Sequence, residues 1–388
     1  METLGLQTHV GAVGRRWEQI GCSAARTVLA DARMTADDGR PYARNIENYI
    51  GLARVPIGVA GPLRVNGTFA DGEYFVPLAT TEAALVASYN RGMRVIRSAG
   101  GAGAAVLDER IERTPAFVVA DLAAAVRFAA WVRDAVPMLR AAAERTSRHA
   151  QCLSLTPVVE GNHVYLVCAY RTGEAAGQNM VTIATAALCD AICSASPVAI
   201  RTHVVEANLS GDKKAAFRTL AGTRGKRVSA DVTVPRIVVR EQLHTTPEAL
   251  ASFWGVAAVG AALSGAIGIA GHYANGLAAL AIATGGDAAC VAESAVGITR
   301  YDVGAGGDLY ACVTLPNVMT ATVGGGTALP TQRAALDILA AGGPFDANAL
   351  AEITAGLLLA GELSIAAALC AGEFSAAHQR LARGAVQC

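Results

Sequence analysis

Between Ala249 and Gly286 the chain carries no Asp, Glu, Lys or Arg. An uncharged segment of that length suits a membrane or a buried core, and nothing else in the sequence restricts the fold as much. It is built on Ala and Gly, and His272 and Asn275 interrupt it, so the reading is a pair of buried helices in a soluble core. Of the 388 residues 53% are hydrophobic and 16% charged, which argues against disorder and leaves apolar surface over for subunit contacts.

Net charge is zero and no basic block stands out, which excludes a nucleic-acid or acidic-membrane partner. Nine cysteines without a CxxC pair or a zinc-type His/Cys spacing give no metal site and fit a reducing cytoplasm. The opening METLGLQTHVGAVGRRWEQ lacks the apolar stretch of a signal peptide, so a cytoplasmic protein is expected.

Residues 1–50 read as a small, mixed segment with short helices around Arg15 to Asp31. Gly and Pro punctuate ENYIGLARVPIGVAGPLRVNG, and TTEAALVASYNRGMRVIRSAGG reads as a helix capped by Thr80 or Thr81. From Pro115 the texture changes to AFVVAD as a strand, one long helix through LAAAVRFAAWVRDAVPMLRAAAERTS, a hairpin around EGN, a helix in AAGQNMVTIATAALCDAICSA and a strand in IRTHVVEA. That order, βαββαβ, is the ferredoxin-like unit, inserted into a larger part that resumes near Ala216. The expected division is 1–50, 51–114, 115–204, a connecting loop 205–216, and 217–388.

Against so little charge, Asp212, Lys213 and Lys214 in VVEANLSGDKKAAF stand out. Asp287 in ATGGDAAC is either a helix cap or the partner of a buried cation, and the second reading accounts for the paired lysines. Glu82 is a helix-dipole partner or a carboxyl raised by burial into general-acid range. GAGAAV at Gly101 has two glycines of a dinucleotide fingerprint but follows a helix, so a tight turn is the simpler reading, as it is for GAGGD and VGGGT. TGEAAGQNM, Thr172 to Met180, joins a strand to a helix whose free amides suit a pyrophosphate, or is an ordinary connection. TSRHA at Thr146 offers a hydroxyl and a guanidinium for a 2′-phosphate, and His378 alone reads as a surface histidine.

Taken in order and spacing, ENYIGLARVPIGVAGPL, PLATTEAALVASYNRGMR, GDKKAAF, HYANGLAALAIATGGDAAC, DLYACVTLPN, TVGGGT and AGELSIAAALCAGEFSAAH resemble the catalytic portion of hydroxymethylglutaryl-CoA reductase, from about Glu47 to His378. TGEAAGQNM is similar to the DAMGMNM segment of the class known from eukaryotes, archaea and some bacteria, here without the eukaryotic membrane anchor. The resemblance implies an α+β fold: a small helical N-terminal domain, a large helical domain around a central buried helix that takes in the uncharged run, and an inserted ferredoxin-like domain for NADPH. It also implies a homodimer or homotetramer with active sites at the subunit interface.

The implied reaction reduces an acyl-CoA, 3-hydroxy-3-methylglutaryl-CoA, to mevalonate and CoA with two NADPH. The implied catalytic residues are Lys213 at the carbonyl oxygen, Glu82 as the acid for the aldehyde oxygen, Asp287 linking these two, and His378 for the CoA thiolate. Cofactor residues by the same resemblance are Ser147 and Arg148 at the 2′-phosphate, with Glu174, Ala175, Gly177, Asn179, Met180 and Gly325. Substrate residues are Asn90, Arg91, Arg94, Arg113, Glu206, Asp212, Lys214, His272 and Asn275. Two positions depart from the pattern: Glu206 stands where the family has serine, and Val256 near a second lysine, so another acyl thioester is the alternative substrate. A non-catalytic homologue is the third reading.

Overall fold

The computed structural model describes residues 45–374, together with Gly14, Arg15, Glu18 and Tyr42. The helices expected between Arg15 and Asp31 fall almost wholly outside those residues, and His378 lies outside them.

Alternating burial along β1 (Ile57–Gly67) and β2 (Asp71–Ala79) builds an antiparallel pair. The helix expected from Thr80 begins later, as α1 (Leu85–Ser98), with Ala84 at its N-cap in the left-handed region and no side-chain cap. Thr80 instead accepts from the Glu82 N–H at 3.0 Å, which places Glu82 in the exposed turn before the helix. GAGAAV is not a dinucleotide loop: Gly100 and Gly101, both at positive φ, turn the chain, and from Ala102 it runs on extended as β3 (Ala102–Arg113).

Beyond Thr114 come β4 (Ala116–Val118), α2 (Leu122–Asp134), α3 (Val136–Glu144), β5 (Gln151–Glu160), β6 (His163–Arg171), α4 (Gln178–Ala195) and β7 (Thr202–Val204). The expected single long helix is broken at Ala135, because the Pro137 ring cannot continue a ladder through residue 133. The strands lie in the order β7-β4-β6-β5, all neighbours antiparallel. The last three residues of β3 pair with the same strand, β6, so this four-stranded layer is continuous with the rest of the sheet.

The remaining elements are α5 (Phe217–Ala221), β8 (Gly225–Val234), α6 (Arg236–Leu243), α7 (Pro247–Ser264), α8 (Tyr273–Thr284), α9 (Val291–Ser294), β9 (Ile298–Val303), β10 (Leu309–Val318), α10 (Pro330–Ala340) and α11 (Ala347–Cys370). The helices of the large part pack with a six-stranded sheet, β2-β1-β3-β8-β10-β9, that the sequence reading did not include.

The uncharged run is where the sequence reading fails. Its second half, α8, packs into the core, but α7 leaves Val256 69%, Val259 61% and Leu263 85% exposed. Leu250, Phe253 and Trp254 hold only its inner face to the core. The central buried helix is α11, which is long and apolar enough to cross a membrane yet has 83% of its apolar window buried inside the protein. Its backbone comes so close to α1 that a Cβ at Gly92 would stand 1.8 Å from the Ala360 carbonyl oxygen.

Two carboxylates lie inside that helix, and backbone donors compensate both. Glu352 accepts from the N–H groups of Phe69 and Ala70 at 2.8 Å each and so fixes the β1–β2 turn. Glu362 accepts from Gly271 and His272 N–H, both at 2.8 Å, and from the Thr299 hydroxyl, fixing the start of α8.

Candidate active site

Glu362 is the first link between the core and the site. With its backbone held there, His272 passes a ring nitrogen to the Gly361 carbonyl (2.8 Å) and packs against Tyr89. One turn on, Asn275 donates to Glu82 Oε1 at 3.2 Å. Glu82, His272 and Asn275 line a cavity of ≈ 380 Å³ with Ser88, Arg91, Ser364 and Phe374. Arg91 is half-buried, donating from Nε to Ser364 Oγ at 3.1 Å and pairing with Glu373 at 3.4 Å; burial lowers its pKa. Asn90 instead holds the Gly61 N–H at 3.0 Å, and Arg94 is exposed on α1.

The stretch with the clustered charges forms the loop between β7 and α5. Lys213 has φ 56, a left-handed backbone that a non-glycine residue adopts only when its surroundings hold it there. On one side of it Asp212 pairs with Arg113 at 3.0 Å and with Arg224 at 2.9 Å. On the other its own Nζ reaches Asp287 Oδ2 at 2.8 Å. The hydrogen bond that Lys213 donates to Asp287 raises the Lys213 pKa against a smaller burial effect. Burial pushes the Asp287 carboxyl up, but the hydrogen bonds from Lys213 and the Ala289 N–H outweigh it and bring the pKa below its ordinary value.

Asp287 therefore serves as cap and ion partner together, accepting from Ala289 N–H at 2.9 Å through its other oxygen. Lys213 is half-exposed, not the buried cation expected. Glu82 bonds Asn275, and no contact joins it to Asp287 among the described residues. Lys214 is exposed and turns its ammonium to the Asp212 carbonyl at 2.9 Å.

A second cavity, ≈ 360 Å³, brings Ala175 to Met180 together with Gly285 to Asp287, Cys290 and the loop Val323 to Thr327. Gly177 starts α4 with φ 77 and no side-chain cap, so the first amides of that long helix are free toward the cavity. A Cβ at Gly177 would meet the Thr172 side chain at 2.3 Å. Glu174 faces away: its carboxylate takes the Ala347 N–H (2.9 Å) and the Thr322 hydroxyl, while its carbonyl accepts from Thr322 N at 3.0 Å. It fastens the two cavity walls and the start of α11, so its side chain is committed to the protein and not to a ligand. Gly325 receives Asn45 Nδ2 on its carbonyl at 2.8 Å. Ser147 and Arg148 precede β5, whose Gln151 pairs with Arg171 of β6, so they sit at the end of the hairpin from which the 172–177 segment leaves.

Residues 13–383 match the hydroxymethylglutaryl-coenzyme A reductase family. The chain belongs to that family. It is 48% identical over 347 residues to a 3-hydroxy-3-methylglutaryl-coenzyme A reductase of Haloferax volcanii, covering 87% of this chain and 85% of the relative. A reductase of the same name from Methanothermobacter thermautotrophicus is 44% identical, covering 90% and 87%. In fold, the family member resembles the solved class II reductase of Streptococcus pneumoniae bound to NADPH, with a TM-score of 0.69 at 20% identity over 94% and 97% of the two chains.

Sequence reasoning in this family member missed a buried group. Arg224, 2% exposed, pairs with the fully buried Glu293 at 2.6 Å and with Asp212. Gln178 Oε1 accepts from Arg224 at 2.8 Å and from Arg113 at 3.4 Å, while its Nε2 donates to Cys290 Sγ at 3.2 Å. The only signal was Glu293 six residues after Asp287 in an otherwise apolar stretch. Glu206, read as a substrate residue, instead spends both oxygens within the protein: Arg113 at 3.3 Å and Thr114 N–H at 3.2 Å on one, Asn208 N–H at 2.7 Å on the other.

Proposed function

We propose that this chain reduces 3-hydroxy-3-methylglutaryl-CoA to mevalonate and CoA with two NADPH. The observation that carries the reading is the ≈ 360 Å³ cavity, in which an uncapped helix N-terminus and a glycine loop meet Asp287, itself paired to Lys213. That wall suits a pyrophosphate, and backbone amides without opposing side chains let one approach. NADPH, when bound, supplies the two hydrides.

The chain's own residues do the rest. Lys213 holds a positive charge beside the acyl carbonyl, where negative charge grows at each hydride addition. Asp287 keeps that charge fixed and the lysine protonated. Glu82, oriented by Asn275, delivers a proton to the aldehyde oxygen, and His378 protonates the departing thiolate. Arg91 in the ≈ 380 Å³ cavity and Arg94 beside it on α1 serve the CoA phosphates, and Ser147 with Arg148 the cofactor 2′-phosphate.

The sheet order supports the inserted unit at 115–204 as the cofactor domain, with 1–50, 51–114, 205–216 and 217–388 as the other divisions. Kinship at 44–48% identity with archaeal reductases supports the class shared by archaea and eukaryotes. The apolar stripe Val256, Val259 and Leu263 on α7 supports a homo-oligomer in which a second copy covers it. Burial of α11 inside the protein supports the reading of a cytoplasmic enzyme.

The test is direct: purified protein with 3-hydroxy-3-methylglutaryl-CoA oxidises NADPH, followed by absorbance, with two cofactors consumed per CoA released. No oxidation at millimolar substrate sinks the reading. Replacing Asp287 by Asn weakens the hydrogen bond and removes the negative charge that together raise the Lys213 pKa. The alkaline fall of kcat therefore begins at lower pH in Asp287→Asn than in the wild type, and an unmoved pH profile would show that the two side chains are not coupled in turnover.

A further inference from the structure

The structure assigns Glu206 the role of a resident counter-charge on Arg113, one that the far carboxylate of an incoming acyl-CoA has to displace. This makes Glu206 the residue that sets how tightly a diacid thioester is held, and the assignment rests on the reaction proposed above.

The charge count carries it. The loop and its partners contain four cations, Arg113, Lys213, Lys214 and Arg224, and four carboxylates, Glu206, Asp212, Asp287 and Glu293, linked by ion pairs and by the Lys214 contact to the Asp212 carbonyl. The group is neutral before any substrate arrives. Without Glu206 it carries one net positive charge, which is what a single substrate carboxylate requires.

Position agrees with the count. Arg113 is 8% exposed at its side chain, and its Nη1 is shared by Glu206 at 3.3 Å and Asp212 at 3.0 Å, so the guanidinium already faces two anions. Asp212 is also tied to the buried Arg224 at 2.9 Å, so two guanidinium groups hold it. Glu206 holds Arg113 by the longer contact, is 26% exposed, and makes its shortest bond to the nearby Asn208 N–H at 2.7 Å. It is the more loosely held of the two carboxylates on Arg113, and swinging away gives up its bonds to the Thr114 and Asn208 N–H groups. A third carboxylate at Arg113 without that movement would place like charges together at a partly desolvated site.

The experiment is calorimetric titration without NADPH, comparing wild type with Glu206→Gln. The two ligands are 3-hydroxy-3-methylglutaryl-CoA and 3-hydroxy-3-methylbutyryl-CoA, which lacks only the far carboxylate. Glu206→Gln removes the charge and keeps one oxygen, for the Asn208 N–H group; it is expected to bind the diacid thioester about tenfold tighter, about 1.4 kcal/mol, with the neutral-ended thioester unchanged. Glu206→Ser, a smaller side chain, gives the same direction and guards against a local effect of the glutamine. Equal or weaker binding of the diacid, the same change for both thioesters, or no binding by either protein overturns the assignment. Turnover is read separately: a wild type that binds the diacid without reducing it refutes the proposed reaction and leaves the Glu206 comparison intact.

Discussion

Lys213→Ala is expected to lower kcat by about 10²–10³-fold, the loss that follows removal of one oxyanion donor, with NADPH affinity, read by fluorescence titration, close to that of wild type. The contrast between Lys213 and Lys214 makes this more than a charge deletion. Lys214 is exposed and its ammonium rests on a carbonyl in its own turn, whereas Lys213 is aimed at Asp287 by a left-handed backbone held from both sides. Lys214→Ala is therefore expected to raise KM for the acyl-CoA and change kcat much less. Because Lys213 pairs with Asp287 but does not itself line the cofactor cavity, cofactor binding provides the internal check that the variant is folded. A Lys213→Ala protein that turns over while Lys214→Ala does not would reverse the assignment of the two side chains.

What the sequence revealed and what it hid follow from the range of the forces involved. Strands such as AFVVAD and IRTHVVEA, and the hairpin at Gly161–Asn162, were legible because alternation and turn residues act over a few positions. Lys213 and Asp287 could be linked because an isolated charge in an apolar chain asks for a partner, and they meet at 2.8 Å. The uncharged run was misread for the opposite reason: apolar composition shows that a surface avoids water, not whether the same chain or a second copy covers it. Thus α7 and α11 look alike in composition, and only the second lies inside. Nor could the sequence reveal that Glu352 and Glu362, charged residues in that inner helix, are compensated by backbone N–H groups hundreds of residues earlier for the first and about ninety for the second. Arg224 and Gln178 were silent because their partners come from four different segments of the fold.

Arg224→Met is expected to destabilise the protein by about 3–5 kcal/mol, since it leaves the fully buried Glu293 without its counter-charge and Asp212 with one partner fewer. The shift of the urea unfolding midpoint at constant slope measures it. Burial holds the Glu293 pKa above its ordinary value even though Arg224 pulls it down, so removing Arg224 raises it further. A carboxyl with a raised folded pKa stays protonated in the folded state while the unfolded chain ionises, so stability falls as pH rises above the unfolded value. The deficit of Arg224→Met is therefore smaller in mildly acidic buffer than in alkaline buffer. Replacing both partners, Arg224→Met with Glu293→Leu, leaves no buried charge unpaired and is expected to restore most of the lost stability. It does not restore the contact to Asp212 that holds one side of Lys213. The double variant is expected to be stable and still slow, with kcat reduced about tenfold by the loosened lysine. Recovery of stability and rate together would show that Asp212 needs only Arg113 to fix the loop, and that the Arg224–Glu293 pair belongs to the fold and not to the site.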